Sequence, residues 1–136
     1  MKKVLIVEDD LAWAKILERY VGELNYKSKI VVSGGQAMEA IDSWRPDALL
    51  LDMLLAGETG VALLHELRSH EDLAKLPVIV CSSVEIGEEQ LSSFGVAKVL
   101  DKSRATPDEI RSAIREVLAC AERGRGARAN GFGRWS

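Results

Sequence analysis

From Ala48 to Leu51 the chain runs through aliphatic residues without a break, then places one carboxylate, Asp52, and turns through Gly57 and Gly60. A run this short, apolar at every position and followed at once by charge, suits a strand buried on both faces of a sheet. The same pattern recurs. Val4 to Val7 ends in Glu8, Asp9 and Asp10; Val78 to Cys81 ends in Ser82; and Ala97 to Leu100 ends beside Lys102. Strands that spend their last residues on polar chemistry point to one shared site.

Between these runs the apolar residues recur at helical spacing. Asp10 to Leu24 presents Trp13, Ile16, Leu17, Tyr20, Val21 and Leu24 on one face, and Asn25 closes it. Lys27 to Val32 is a more polar strand, nearer an edge. Ser33 caps a helix from Gly34 to Trp44, and Pro46 ends it. Thr59 or Gly60 opens a helix carrying Val61, Leu64 and Leu67. Gly87 to Phe94 is a short helix with a weak stripe, expected to be held less firmly than the rest. The last helix carries its own start signals, with Thr106 as N-cap, Pro107 at the first helical position and Glu109 completing a capping box. Its core face is Ile110, Ala113, Ile114, Val117, Leu118 and Ala121.

Five strands alternating with five helices over short connections predict an α/β fold: a doubly wound parallel sheet with helices on both faces. If the acids ending the first and third strands act on one ion, those strands are neighbours. The order is then 2-1-3-4-5, flavodoxin-like, with the site at the carboxyl ends of the strands where the order reverses.

A length of 136 residues suits one domain, placed at residues 1–121, with an Arg/Gly-rich stretch, 122–136, expected to be disordered. The net charge of −3 conceals a split, because residues 123–136 hold Arg123, Arg125, Arg128 and Arg134 and no acid, leaving 14 basic against 21 acidic residues elsewhere. An acidic body argues against a nucleic-acid-binding face on the globular part. Cys81 and Cys120 lack metal-ligand spacing and read as reduced thiols. No signal peptide or membrane span is visible, so a cytoplasmic protein is expected.

The loop after the first strand selects the ligand. A nucleotide site would put glycines there to cradle phosphate, whereas this chain puts Glu8, Asp9 and Asp10. Such a cluster repels bare phosphate, so a divalent cation must come first, and Mg²⁺ suits one or two carboxylates. With a metal-held phosphoryl group in line, Asp52 is the candidate nucleophile, Asp9 the main metal ligand and Glu8 a metal or water ligand. Lys102 supplies positive charge and Ser82 a hydroxyl donor. Asp10 reads as a solvated loop charge, His65 and His70 as surface residues, and Trp13 and Trp44 as core aromatics.

The pattern VLIVEDD at 4–10, LLLD ending at Asp52, Gly60, PVIVCSS with Ser82, and VLDKS with Lys102 resembles the response-regulator receiver domains of two-component signalling. The resemblance covers Met1 to about Ala121. It implies that Asp52 is phosphorylated from a histidine kinase, that Asp9 and Asp52 bind Mg²⁺ directly, and that Glu8 does so mainly through water. The main-chain carbonyl of Leu54 is implied as a further ligand, and Ser82 and Lys102 as contacts to the phosphoryl oxygens. It also implies a signalling protein, not an enzyme acting on a separate substrate. With no output domain in view, the expected partners are the kinase and a histidine phosphotransfer protein or separate output protein. The body is expected to be a monomer or weak dimer.

Departures from the family's pattern are specific. Val99 stands where an aromatic is usual, Ser103 where a proline follows the lysine, and Ala56 where the loop after the nucleophile carries proline. Leu54 and Val84 stand where polar residues orient the hydrolytic water, which predicts slow loss of phosphate. Two alternatives stay open. One is a pseudo-receiver that binds partners without phosphorylation; the other is a metal-dependent phosphohydrolase, against which Leu54 stands where a second acid is wanted.

Overall fold

A computed structural model describes residues 2–55, 58–82 and 95–127. Five strands, β1 (Lys3–Val7), β2 (Lys27–Val31), β3 (Ala48–Asp52), β6 (Val78–Ser82) and β7 (Lys98–Asp101), form one parallel sheet in the order β2-β1-β3-β6-β7. Two short strands, β4 (Leu54–Leu55) and β5 (Glu58–Thr59), pair antiparallel between β3 and the next helix. Counted along the chain, the sheet order is the expected 2-1-3-4-5. The described helices are α1 (Leu11–Glu23), α2 (Gly34–Trp44), α3 (Gly60–Ser69) and α4 (Pro107–Ala127). The expected helix from Gly87 to Phe94 lies outside the described residues.

Period-two alternation sorts the central strands onto two faces. Leu5, Val7, Leu49, Leu51, Val78 and Val80 face α2 and α3, where Ala37, Ile41, Leu63, Leu64 and Leu67 close the core. Val4, Ile6, Ala48, Leu50, Ile79 and Cys81 face α1 and α4, against Ala14, Leu17, Val21, Ile110, Ile114 and Leu118. Every residue of β3 and β6 is buried, which is why both read as unbroken apolar runs. β2 alternates and β7 is largely exposed, as edge strands do, and Val99 is 48% exposed.

Local signals end the elements as their chemistry requires. Ser33 Oγ accepts from Gln36 N at 3.2 Å, and Thr106 with Glu109 forms the reciprocal capping box at 3.2 and 3.1 Å. Asn25 and Arg45 close α1 and α2 in the left-handed region, with φ of 64° and 54°. Asp10 is exposed, as its reading as a solvated charge expects, and has a further role. It caps α1, its Oδ1 accepting from Ala12 N at 3.1 Å and Trp13 N at 3.3 Å. At the other end α4 continues to Ala127, past the boundary expected at Ala121. Residues 128–136 lie outside the described residues. No described helix is long and apolar enough to cross a membrane.

Candidate functional site

The polar residues gather at the carboxyl ends of the central strands. Register sets their level: Val7 lies opposite Leu51, so Glu8 follows one strand where Asp52 ends its neighbour. The Glu8 backbone still pairs, its N–H donating to Val31 O at 3.0 Å. On the other side Asp52 lies opposite Cys81, and Ser82 opposite Asp101. The N–H of Lys102 donates to Ser82 O at 2.9 Å, which sets the lysine at the rim of the sheet.

Parity then decides which side chains meet. Glu8 and Asp52 are in phase with Ile6 and Leu50, whose side chains face α1, and Lys102 is in phase with Leu100, which packs on that same side. Carboxylate oxygens of Glu8, Asp9 and Asp52 lie within 4.8 Å of one another. Lys102 Nζ stands 2.8 Å from Glu8 Oε2 and 3.3 Å from Asp52 Oδ2. Glu8, Asp52 and Ser82 are buried, while Asp9 is more open to solvent. Three acids facing one ammonium leave a surplus of negative charge in a partly dry place, a donor set that suits a hard divalent cation.

The electrostatics follow from that surplus. Burial pushes the Glu8 carboxyl up to about 7, with the Asp52 charge adding to the rise and Lys102 opposing it. For Lys102, burial acts downward, and the bond to Glu8 with the charges of Glu8 and Asp52 outweighs it, so the ammonium is held above its usual range. Burial also pushes the Cys81 thiol up to about 12, which keeps it an uncharged packing group.

Backbone around the site has its own logic. Gly60 N donates to Met53 O at 2.9 Å, and Leu55 pairs with Glu58 across residues 56–57. Leu54 with Thr59 therefore falls at the non-hydrogen-bonded position between these pairs, which leaves the Leu54 carbonyl outside the ladder. A Cβ on Gly60 would sit 2.8 Å from Asp52 O and 2.9 Å from Met53 Cα, so glycine is what lets α3 begin against the end of β3. After Lys102, Asp101 Oδ1 accepts from Ser103 N at 2.9 Å and Ser103 Oγ at 2.6 Å, closing a tight turn where the resemblance expects proline. The Lys102–Ser103 bond is trans, as is every described peptide bond.

Of the residues singled out in the sequence, Glu8, Asp9, Asp52 and Lys102 meet in one cluster, and Ser82 ends the strand beside it. Ala56, Gly57 and Val84 lie outside the described residues. Trp13 packs against the core as its spacing predicts, and its ring also lies 5.6 Å from Lys102 Nζ, a contact that sequence reasoning missed. Its place four residues after Asp9, in the first turn of α1, was the available signal.

Comparison with known proteins agrees with this geometry. The family described as response regulator receiver domain matches residues 4–115. A response regulator, MprA, of Mycobacterium ulcerans is 30% identical over 118 residues, covering 85% of this chain and 50% of its own length. The chain thus spans about half the length of the curated relatives it matches. The BeF3-activated N-terminal receiver domain of Klebsiella pneumoniae RstA superposes with a TM-score of 0.74 at 25% identity, covering 86% of this chain and 98% of that one. A CheY-like receiver domain protein from Methanospirillum hungatei gives 0.79 at 21% identity, over 90% and 98%, and shares the fold. A receiver-type match over residues 4–115, on a sheet of receiver topology, makes this chain a member of the response regulator receiver domain family.

Proposed function

We propose that Asp52 is a phosphoacceptor, charged from the phosphohistidine of a sensor kinase while a divalent cation, Mg²⁺ by its preference for oxygen, is held by Asp9 and Asp52. The observation that carries this reading is the clustering of three carboxylates within 4.8 Å under the Lys102 ammonium. When bound, the cation neutralises charge on the phosphoryl oxygens. Asp52 attacks phosphorus; the new bond is carboxylate oxygen to phosphorus, the bond broken is phosphorus to imidazole nitrogen, and the imidazole leaves with a proton. On this reading Lys102 and the Ser82 hydroxyl hold the equatorial oxygens.

Glu8 fits a role through water. Its Oε1 already accepts from Asp10 N at 3.2 Å and its Oε2 from Lys102 at 2.8 Å. The Leu54 carbonyl, left outside its ladder, supports a place for it among the ligands. The BeF3-activated form named for RstA is in keeping with a phosphoryl site in this family. Phosphorylation then alters the 82–103 face and changes affinity for a partner, whether an output protein or a histidine phosphotransfer protein.

Intact mass after incubation with Mg²⁺ and acetyl phosphate tests the assignment, with Asp52→Asn alongside. One phosphoryl group on the parent and none on the variant is the expected result. No gain on the parent, with that donor or with a phosphorylated histidine kinase, would leave a pseudo-receiver that binds partners without phosphorylation.

A further inference from the structure

We propose that Trp13 is a positioning residue for Lys102, its indole face giving the ammonium a seat beside Glu8 and Asp52 to which it withdraws when a divalent cation takes those oxygens. The part concerning the cation rests on the phosphoacceptor reading above. The seat itself stands on the distances among Lys102, Glu8, Asp52 and Trp13.

Three groups surround the Lys102 ammonium. Glu8 Oε2 lies at 2.8 Å, Asp52 Oδ2 at 3.3 Å and the Trp13 ring centroid at 5.6 Å, within the range over which a cation is drawn to an aromatic face. A lysine ammonium has three N–H donors, and two carboxylates take two. The third is left for the ring. With the Lys102 side chain only 15% exposed, solvent does little of this work.

Trp13 is also expensive to place. Its Nε1 is buried with no hydrogen-bond partner among the described residues, and a buried N–H left unpaired is a cost that most folds avoid. The rest of the ring packs against the core on the α1 side of the sheet. A leucine or methionine would fill that space without the stranded donor. What an indole adds is an electron-rich face, and Lys102 is the cation on it.

The consequence is competition with two exits. A divalent cation held by Asp9 and Asp52, with its water on Glu8, competes with Lys102 for the charge of both carboxylates. An ammonium with a ring to lean on leaves more readily than one facing only carboxylates, so Trp13 favours cation entry and keeps Lys102 near the phosphoryl position afterwards. Remove the ring, and Lys102 settles more firmly on Glu8.

The test pairs Trp13→Met, which keeps apolar volume without a ring, with Trp13→Phe, which restores a weaker face. In the metal-free protein with ¹³C-labelled lysine, the Lys102 ε-methylene resonance, assigned through Lys102→Arg, should show an upfield ring-current shift. That shift should vanish in Trp13→Met and return in part in Trp13→Phe. By calorimetry, Trp13→Met should bind Mg²⁺ about three- to tenfold more weakly than the parent, with Trp13→Phe between them. An unshifted Lys102 resonance in the parent, or Mg²⁺ affinity in Trp13→Met equal to a binding parent's, overturns the proposal. Absence of Mg²⁺ binding by the parent overturns the functional reading instead, and the resonance then decides the seat alone.

Discussion

Lys102 donates to Glu8 at 2.8 Å, closer than it stands to Asp52 at 3.3 Å, so the ammonium occupies the side of the acid cluster formed by β1. It is the one cation among the described residues within salt-bridge distance of these acids. Replacing it by methionine leaves three clustered carboxylates without a counter-charge. Removing one partner of a buried pair costs about 3 kcal/mol or more. Lys102→Met should therefore melt well below the parent at pH 8 in chelator. Mg²⁺ should raise its melting temperature by more than it raises the parent's, because the cation supplies the charge that the variant lacks. Equal Mg²⁺ responses in the two proteins would show that Lys102 and the cation do not share a site.

The raised Glu8 carboxyl makes metal-free stability depend on pH, and the sign can be worked out. Its folded value of about 7 lies above its ordinary value of 4.5, so the folded state binds the proton more tightly than the unfolded state does. The contribution is complete below about 4.5 and is lost as pH rises through about 7. Between pH 5 and pH 8 the parent should therefore lose stability through this group. Glu8→Gln should lack that slope and overtake the parent at pH 8, as urea denaturation in chelator would show. A parallel slope in the variant would assign the pH dependence elsewhere.

Asp10 shows where reading the sequence falls short. The three acids after β1 look alike in the chain, yet Glu8 turns inward by strand parity, Asp9 borders the cluster, and Asp10 spends its side chain on the first amides of α1. Loss of such a cap costs about 1 kcal/mol. Asp10→Ala should lower stability by that amount and retain Mg²⁺ binding, whereas Asp9→Ala should lose binding while keeping the cap. Calorimetry with thermal melts would separate the two roles.

Much else was legible for a physical reason. β3 and β6 are buried on both faces and so print themselves as apolar runs, and a site built from strand ends is announced by the residue that ends each run. Capping boxes and helix stripes are local, and Thr106, Glu109 and Ser33 behave as their neighbours dictate. Other features depend on contacts far apart in the chain. Arg68, in the last turn of α3, donates to the carbonyls of Leu73, Leu76 and Gly95 at 3.1–3.3 Å, a role with no periodicity to reveal it. Trp13 sits at core spacing, and its second face acquires meaning only once Lys102 arrives from the far end of the sheet. The continuation of α4 to Ala127 runs through Gly124 and Gly126, residues that weaken a helix and so argue for an earlier end.

The hydrolytic side of the site follows from Leu54. Leucine stands here where the resemblance expects a polar residue to orient the hydrolytic water, so the aspartyl phosphate should be long-lived. Leu54→Asn should shorten its lifetime without altering how much phosphate the protein accepts, as a time course of intact mass after donor removal would record. Equal or slower loss from the variant would sink the idea.

Two glycines predict opposite outcomes for the same substitution. At Gly60 an added Cβ meets Asp52 O at 2.8 Å and both Met53 Cα and Sδ at 2.9 Å, and the backbone atoms cannot move without shifting the end of β3. Overpacking of this kind costs about 1–3 kcal/mol. Gly60→Ala should also weaken Mg²⁺ binding, because the atoms it displaces belong to the residue carrying Asp52's carboxylate and to the next. At Gly22, near the end of α1, nothing lies within 4 Å of the added carbon. The helix there gains alanine's better propensity and loses glycine's backbone freedom, so Gly22→Ala should stabilise by about 0.5–1 kcal/mol with Mg²⁺ affinity unchanged. Urea denaturation of both variants checks the pair. A neutral Gly60→Ala would mean that the start of α3 can draw back from β3, and that the close approach is not what holds Asp52 in place.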